Sequence, residues 1–484
     1  MKNIFFAIAL LIGTTELINA QSGITWSPAV NVASSSSGNL HPRIGLDAAG
    51  NPLILWGHAN RAMFSKWNGT SFTTPVLINP GAVQVFAASW AGPDIASNGD
   101  TVYVVYKVTP EDTNHIFLSH SYDGGNNFSA PERVDFIGDS ACRFPTVAVD
   151  ESGNPVVAFM KFNTGFIEAR WAVTKSTDFG FTFTPDVPAN VLSGGQVCDC
   201  CPGSILSNAN QVFMEYRNNL SNIRDMWAGV SSDYGNTFAN AIQVDQGNWM
   251  LMACPSSGPD ATIIGDSLYT VYMSGTTGNS LVYLSSSSVT SLNNSTGQML
   301  TGNFTGLSEQ NYPRVSSDGN SIAVVWKQTV SGQTQLALKY SPNITLGFPG
   351  TYDTIAFNNV TNTDIAMANG TVYVVWEDDN SGTVKFRKGT APVITSIESD
   401  ETENMDVLFP NPVNNGFVQY KVKGNSDTNA TVGIFDMFGR KVSSVELQFA
   451  NDILNIDVHH LSAGTYILKI NSGNKSFRKQ IVKY

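Results

Sequence analysis

The sequence predicts an all-β protein: a ring of seven four-stranded units, that is a seven-bladed β-propeller, followed by a small β-sandwich. Three observations predict it. A turn followed by alternating apolar residues and an aromatic recurs seven times at a near-constant period. Gly, Ser, Asn and Thr abound around short Val, Ile, Phe and Tyr runs, while charged residues make up only 14% of the chain; that is the composition of many strands joined by tight turns. The last stretch loses the repeat and takes up a strand pattern of its own.

The chain opens on Met1-Lys2-Asn3, an apolar run from Ile4 to Ile12, and a small residue, Ala20, before Gln21. One positive charge, a short apolar core and a small residue at the cut describe a secretory signal peptide over residues 1–20, too short for a membrane span. The expectation is a secreted or surface protein with no transmembrane segment. A net charge of −12 argues against a nucleic-acid partner, which needs a basic surface.

The repeat occupies residues 21–390. Its apolar runs end on Trp56, Tyr106, Phe159, Tyr216, Tyr272, Trp326 and Trp376, spaced by 50, 53, 57, 56, 54 and 50 residues. A period of this size marks stacked supersecondary units. Before most runs lies a shorter strand entered through proline, as in His41-Pro42-Arg43-Ile44, Gly92-Pro93-Asp94-Ile95 and Tyr312-Pro313-Arg314-Val315, and hairpin turns such as Asn98-Gly99 and Asp318-Gly319 join the two. The seventh unit supplies only three strands, and Ile24 to Val32 reads as a strand without a unit, so the N-terminal segment is expected to complete the last blade and close the ring.

After three of the third strands comes the pattern S-x-D-x-G-x-[TN]-F: Ser121, Asp123, Gly125 and Phe128; Ser176, Asp178, Gly180 and Phe183; Ser231, Asp233, Gly235 and Phe238. Here Ser and Asp side chains are suited to bind turn backbone, Gly to a positive φ, and Phe to packing between blades. The pattern resembles the Asp-box, or BNR repeat, of the sialidase-type propellers, whose rings have six blades; six is therefore the alternative count. The role implied for these residues is structural.

Residues 391–404 are acidic and irregular and read as a linker. Over 405–484, Leu408-Phe-Pro-Asn-Pro412, Phe438-Gly-Arg-Lys-Val442, Leu461-Ser-Ala-Gly-Thr-Tyr466 and a basic end resemble the C-terminal sorting domain of type IX secretion cargo of Bacteroidota. The resemblance implies handling by the type IX machinery as a partner, and export across the outer membrane.

Function is expected on the face where first strands begin and second strands end, over the channel. Arg43, Arg143 and Arg314 enter first strands there, with Asp94; Arg217 ends a second strand, and Arg61 and Arg224 begin third strands. Sialidases hold a sugar carboxylate with arginines, whose forks match its geometry, and Arg143-Phe-Pro resembles their Arg-Ile-Pro. The resemblance thus implies recognition of a glycan or another anionic ligand by Arg43, Arg143, Arg217, Arg224, Arg314 and Asp94. The bland alternative pairs these arginines with Asp94, Asp225, Asp260 and Glu377. Trp56, Trp326 and Trp376 are candidate stacking platforms or core. For an exo-glycosidase of the sialidase type, Tyr216, Tyr312, Glu215 and Asp94 are the groups available for a Tyr–Glu nucleophile pair and an acid.

Cys142, Cys198, Cys200, Cys201 and Cys254 fall at first-strand entries of blades three to five and are expected to gather there. Disulfides, leaving one thiol over, are one reading; a copper or zinc site assisted by Met250 and Met252 is the other.

Overall fold

The computed structural model describes residues 22–392 and 407–483, except 34–37, 137–140, 295, 415, 422–428, 437–439, 451 and 473–474. The expected signal peptide and most of the expected linker lie outside the described residues. The chain divides into two compact units, Met1–Val393 and Ile394–Tyr484.

The larger unit holds seven antiparallel sheets, one per repeat, each running from an inner first strand to a short outer one. The first strands are Asn39–Leu46, Asp94–Asn98, Ala141–Val149, Ser204–Asn208, Asp260–Ile264, Leu307–Asp318 and Val360–Ala368. Each packs on the first strand of the next sheet, and the seventh packs on the first, so the seven sheets form a closed propeller ring. The second strands read as continuous apolar runs because both of their faces are covered by neighbouring blades. Val102 through Tyr106 are all fully buried, and so are Trp56, Trp326 and Trp376. The Trp56 and Trp326 indoles donate to Asn39 Oδ1 at 2.8 Å and Gln328 Oε1 at 3.0 Å. Of the two readings open for these three tryptophans, stacking platforms or core, they are core.

The seventh sheet is completed by the other end of the unit. Thr25–Trp26 and Val30–Asn31 pair antiparallel with Thr383–Thr390. Ile24 and Val32 are buried at this seam, and the Trp26 indole donates to Asp353 Oδ2 at 2.8 Å.

The three repeated turns are built alike. Ser121, Ser176 and Ser231 each donate to the aspartate two residues on at 2.7 Å, and accept the N–H of Gly125, Gly180 and Gly235 at 2.8–2.9 Å. Gly125 has φ 78°, and a Cβ there would overlap the Phe64 ring of the preceding blade, so only glycine fits. Phe128 stacks edge-on against Phe64, with centroids 5.0 Å apart.

In the smaller unit, a three-stranded sheet (Val407–Phe409, Phe417–Lys421, Ile453–Asp457) and a four-stranded sheet (Lys441–Gln448, Asn429–Asp436, Gly464–Ser472, Lys475–Lys483) enclose Val418, Tyr420, Val432, Ile434, Leu454, Ile456, Leu468 and Ile470. Alternate residues of Asn429–Asp436 point inward, as expected of a strand with one buried face.

Candidate functional site at the channel mouth

Every blade places a polar residue of its first strand on a common cavity of about 200 Å³: Arg43, Asp94, Thr146, Ser204, Asp260, Arg314 and Asp364, joined in the first blade by His41. In four blades the approach to this position is a bulge. The ladder slips between Leu40 and Arg43, Arg143 and Thr146, Asn311 and Arg314, and Val360 and Thr363. In the three of these entered through proline, the residue before it adopts a positive φ: His41 at 53°, Phe144 at 51° and Tyr312 at 50°. Such conformations are rare for non-glycine residues. A bulge re-aims side chains, and here His41 and Phe144 line the cavity while Tyr312 lines the adjoining recess.

The three carboxylates of the ring join neighbouring blades. Asp364 accepts Ile44 N–H at 3.0 Å, Asp94 accepts Val147 N–H at 3.1 Å and Thr146 Oγ1–H at 2.8 Å, and Asp260 accepts Val315 N–H at 2.9 Å. Burial raises Asp364 to about 6, against the pull of Arg43 and Arg314. Arg43 donates to Pro42 O at 2.8 Å and Asn362 Oδ1 at 3.0 Å, and burial, with the nearby Arg314, lowers it to about 10. Burial and both guanidiniums push His41 well below the usual imidazole range, so its ring is neutral at pH 7. Arg314 meets Asp260 at 3.5 Å, a loose pair.

The recess beside the cavity is lined by Trp90, Tyr312, Asn362, Pro202 and Gly258, together with Arg43 and Arg314. Trp90 is 37% exposed and packs edge-on against Phe86. Behind it, Glu377 accepts His41 N–H at 3.1 Å and Ser89 Oγ–H at 2.9 Å, and its burial raises it to about 7. Burial, then the charges of Glu309 and Glu377, raise the Tyr312 phenol.

The remaining sequence candidates fall elsewhere. Arg143 does not line the cavity; its guanidinium lies over Phe166 at 4.3 Å and 3.3 Å from Glu111. Arg217 is enclosed, donating to Ser257 O at 3.1 Å, Arg224 O at 2.7 Å and Met273 O at 2.8 Å. Arg224 is buried and donates to Leu251 O at 3.2 Å. The convergence of all these arginines on one rim therefore does not occur: only Arg43 and Arg314 share the cavity, because Arg217 and Arg224 turn inward to satisfy carbonyls of neighbouring loops. Glu215 and Tyr216 are fully buried; Glu215 accepts Thr270 Oγ1–H at 2.7 Å, and burial raises it to about 8. Of the four groups available for hydrolysis, Asp94 and Tyr312 are at the channel.

Four of the five cysteines gather. Cys200 and Cys254 form a disulfide, and the sulfurs of Cys198, Cys200 and Cys201 lie within 4.8 Å of one another. Cys142 is apart, which corrects the expected cluster of five. It is held by Lys107 Nζ at 3.4 Å and Asp135 Oδ2 at 3.7 Å, and burial raises its thiol to about 12.

Trp90, His41 and Asp364 were not singled out by sequence reasoning. One signal was available: the residue after the entry proline is the channel position in four blades (Arg43, Asp94, Asp260, Arg314) and, after Phe144-Pro145, Thr146 in a fifth.

Comparison with known proteins gives a class for the tail and a set of likenesses for the ring. Residues 407–484 match the secretion system C-terminal sorting domain. The chain therefore carries the tag of type IX secretion cargo, which directs it to the cell surface or the extracellular space. No curated protein matches the sequence. Among solved structures, Trypanosoma rangeli sialidase is 10% identical, with 92% of this chain and 84% of that one covered and a TM-score of 0.43. A PL25 ulvan lyase is 10% identical, with coverages of 74% and 95% and a TM-score of 0.48. Penicillium chrysogenum α-L-arabinanase is 15% identical, with coverages of 75% and 98% and a TM-score of 0.41. With every one of these scores below 0.5, the propeller assignment rests on the closed ring of sheets itself. No helix among the described residues is long and apolar enough to cross a membrane.

Proposed function

We propose that this secreted propeller binds a glycan at the channel mouth, holding an acidic group of the sugar with Arg314 and Arg43 and a sugar face against Trp90. The observation that carries the reading is that two guanidiniums and a half-exposed indole line one recess opening onto the channel. The ring carboxylates already accept backbone N–H groups from the next blade, whereas among the described residues the Arg314 guanidinium has only the loose pair with Asp260. Arg314 is thus the group with capacity for a ligand, and its planar fork suits a carboxylate. Aromatic faces with a few convergent polar groups are the usual make-up of a small-ligand site.

Binding is favoured over hydrolysis. A Tyr–Glu nucleophile pair needs a carboxylate in hydrogen-bond reach of the phenol, and among the described residues Glu309 and Glu377 act on Tyr312 through their charges, without a hydrogen bond to its hydroxyl. The test is calorimetry of the purified protein with sialylated and uronic-acid oligosaccharides. R314A is expected to weaken binding about ten-fold or more, the loss of a charged hydrogen bond of roughly 1.5–3 kcal/mol; because Arg314 also offsets the charges of Asp260, Asp364 and Asp94, R314K, which keeps the charge, serves as the control for fold and Tm. Equal binding by R314A, or no binding of any acidic glycan by the parent protein, removes the proposal; release of sugar from a fluorogenic sialoside shifts it to an exo-glycosidase.

A further inference from the structure

We propose that Cys198 and Cys201 form a two-thiolate copper(I) site. The turn that carries them is fixed by backbone: Cys198 N–H donates to Arg217 O at 2.9 Å and Cys201 N–H to Cys198 O at 3.2 Å. Both side chains are buried, and their sulfurs lie within 4.8 Å of each other, a gap that a single soft ion bridges. Cys200 is committed to the disulfide with Cys254, so two thiols remain.

That number selects the metal. Structural zinc takes four ligands, and among the described residues no His, Asp, Glu or further Cys joins the group. Copper(I) is soft, prefers thiolates and is satisfied by two of them. Binding is redox-neutral: each thiol gives its proton to solvent as a copper–sulfur bond forms.

Two further observations point to a ligand. The ion with its two thiolates carries one net negative charge, which a buried site must balance. The main-chain oxygen that accepts Cys198 N–H belongs to Arg217, whose side chain donates to Arg224 O at 2.7 Å, and Arg224 Nη1 is buried with no hydrogen-bond partner among the described residues. The carbonyl of Leu251 that Arg224 Nε holds lies between Met250 and Met252, whose side chains are 69% and 86% exposed. These two exposed thioethers, four and two residues before Cys254, are soft ligands on the segment that the Cys200–Cys254 disulfide ties to the cysteine turn.

The full mature chain, purified without metal under anaerobic conditions, is expected to show three thiols in denaturant: Cys142, Cys198 and Cys201. Titration of copper(I) against a chromophoric chelator is expected to give one ion per chain. C198S and C201S each abolish that ion, and C142S retains it. Should the serine variants fail to fold, copper(I) added to the parent protein is expected to protect two of its three thiols from alkylation. A count of one thiol, meaning a second disulfide, overturns the site. So does a full ion bound by a folded C198S, the absence of protection, or tight binding of zinc at the same two residues.

Discussion

The N-terminal seam is open to a double-mutant cycle built on Gly389. A Cβ at this position would overlap Ile24 Cγ2 and come within 2.7 Å of Trp26 Cε3. In a strand free of such a neighbour, Gly→Ala stabilises by roughly 0.5–1 kcal/mol. With the N-terminal strand seated against it, the same change overpacks the seam and is expected to cost about 1–3 kcal/mol. Ile24 is 3% exposed, so I24A removes buried methyl groups and is expected to cost about 2–5 kcal/mol. Combined, the two should cost less than their sum by about 1–2 kcal/mol, because the truncated side chain of I24A lacks the Cγ2 that the new methyl meets and the cavity it leaves takes that methyl. Contact with Trp26 keeps the compensation incomplete. The assay is urea unfolding followed by tryptophan fluorescence, with the four proteins at matched conditions. A stabilising G389A, or costs that add within about 0.5 kcal/mol, would refute the seating of residues 24–26 in the seventh sheet.

Two further outcomes follow from the buried charges. R217A strands three buried carbonyls and is expected to lower stability by about 3–5 kcal/mol, whereas R143A, on a partly exposed pair with Glu111, is expected to cost under about 1 kcal/mol; equal unfolding midpoints for the two variants would contradict the structural assignment of Arg217. Glu215 is raised in the folded chain to about 8 from an unfolded value near 4.3, so between these values the folded chain keeps a proton that the unfolded chain has lost. Stability therefore falls as pH rises through this window and is lowest above it. E215Q is expected to flatten the decline in unfolding midpoint between pH 5 and pH 9, and an unchanged decline would show that Glu215 does not contribute to it.

The ring was legible in the sequence because each blade writes the same pattern: a turn, an apolar run buried on both faces, and an aromatic. Trp56 and Trp376 sit at equivalent places in their repeats, and equivalence in a propeller means equivalent burial, which is why they are core. The site was legible only in part. Position along a strand gives the end of the channel but not the direction of a long side chain. Arg217 and Arg314 both lie at the predicted end of their strands, yet one turns between blades to three carbonyls and the other faces the cavity. The decisive quantity, the supply of carbonyls free to accept, comes largely from residues distant in sequence: Ser257 and Met273 lie 40 and 56 positions from Arg217. Cys142 was misplaced for the same reason: its pocket is made by Lys107, Asn114 and Asp135, which precede it by up to 35 residues.

The seam also sets an order of events. Ser27 and Lys388, bonded to each other in the finished ring, are 361 positions apart, so the strand made first must wait for nearly the last one of the propeller. Contacts of such long separation form slowly, and until they form the strand Thr383–Thr390 is an unpaired edge carrying Val384 and Phe386, able to recruit another chain. A chain that must leave the cell thus reaches its folded state only once nearly all of the propeller has been delivered, and any agent that keeps residues 383–390 covered in the interval acts as its chaperone.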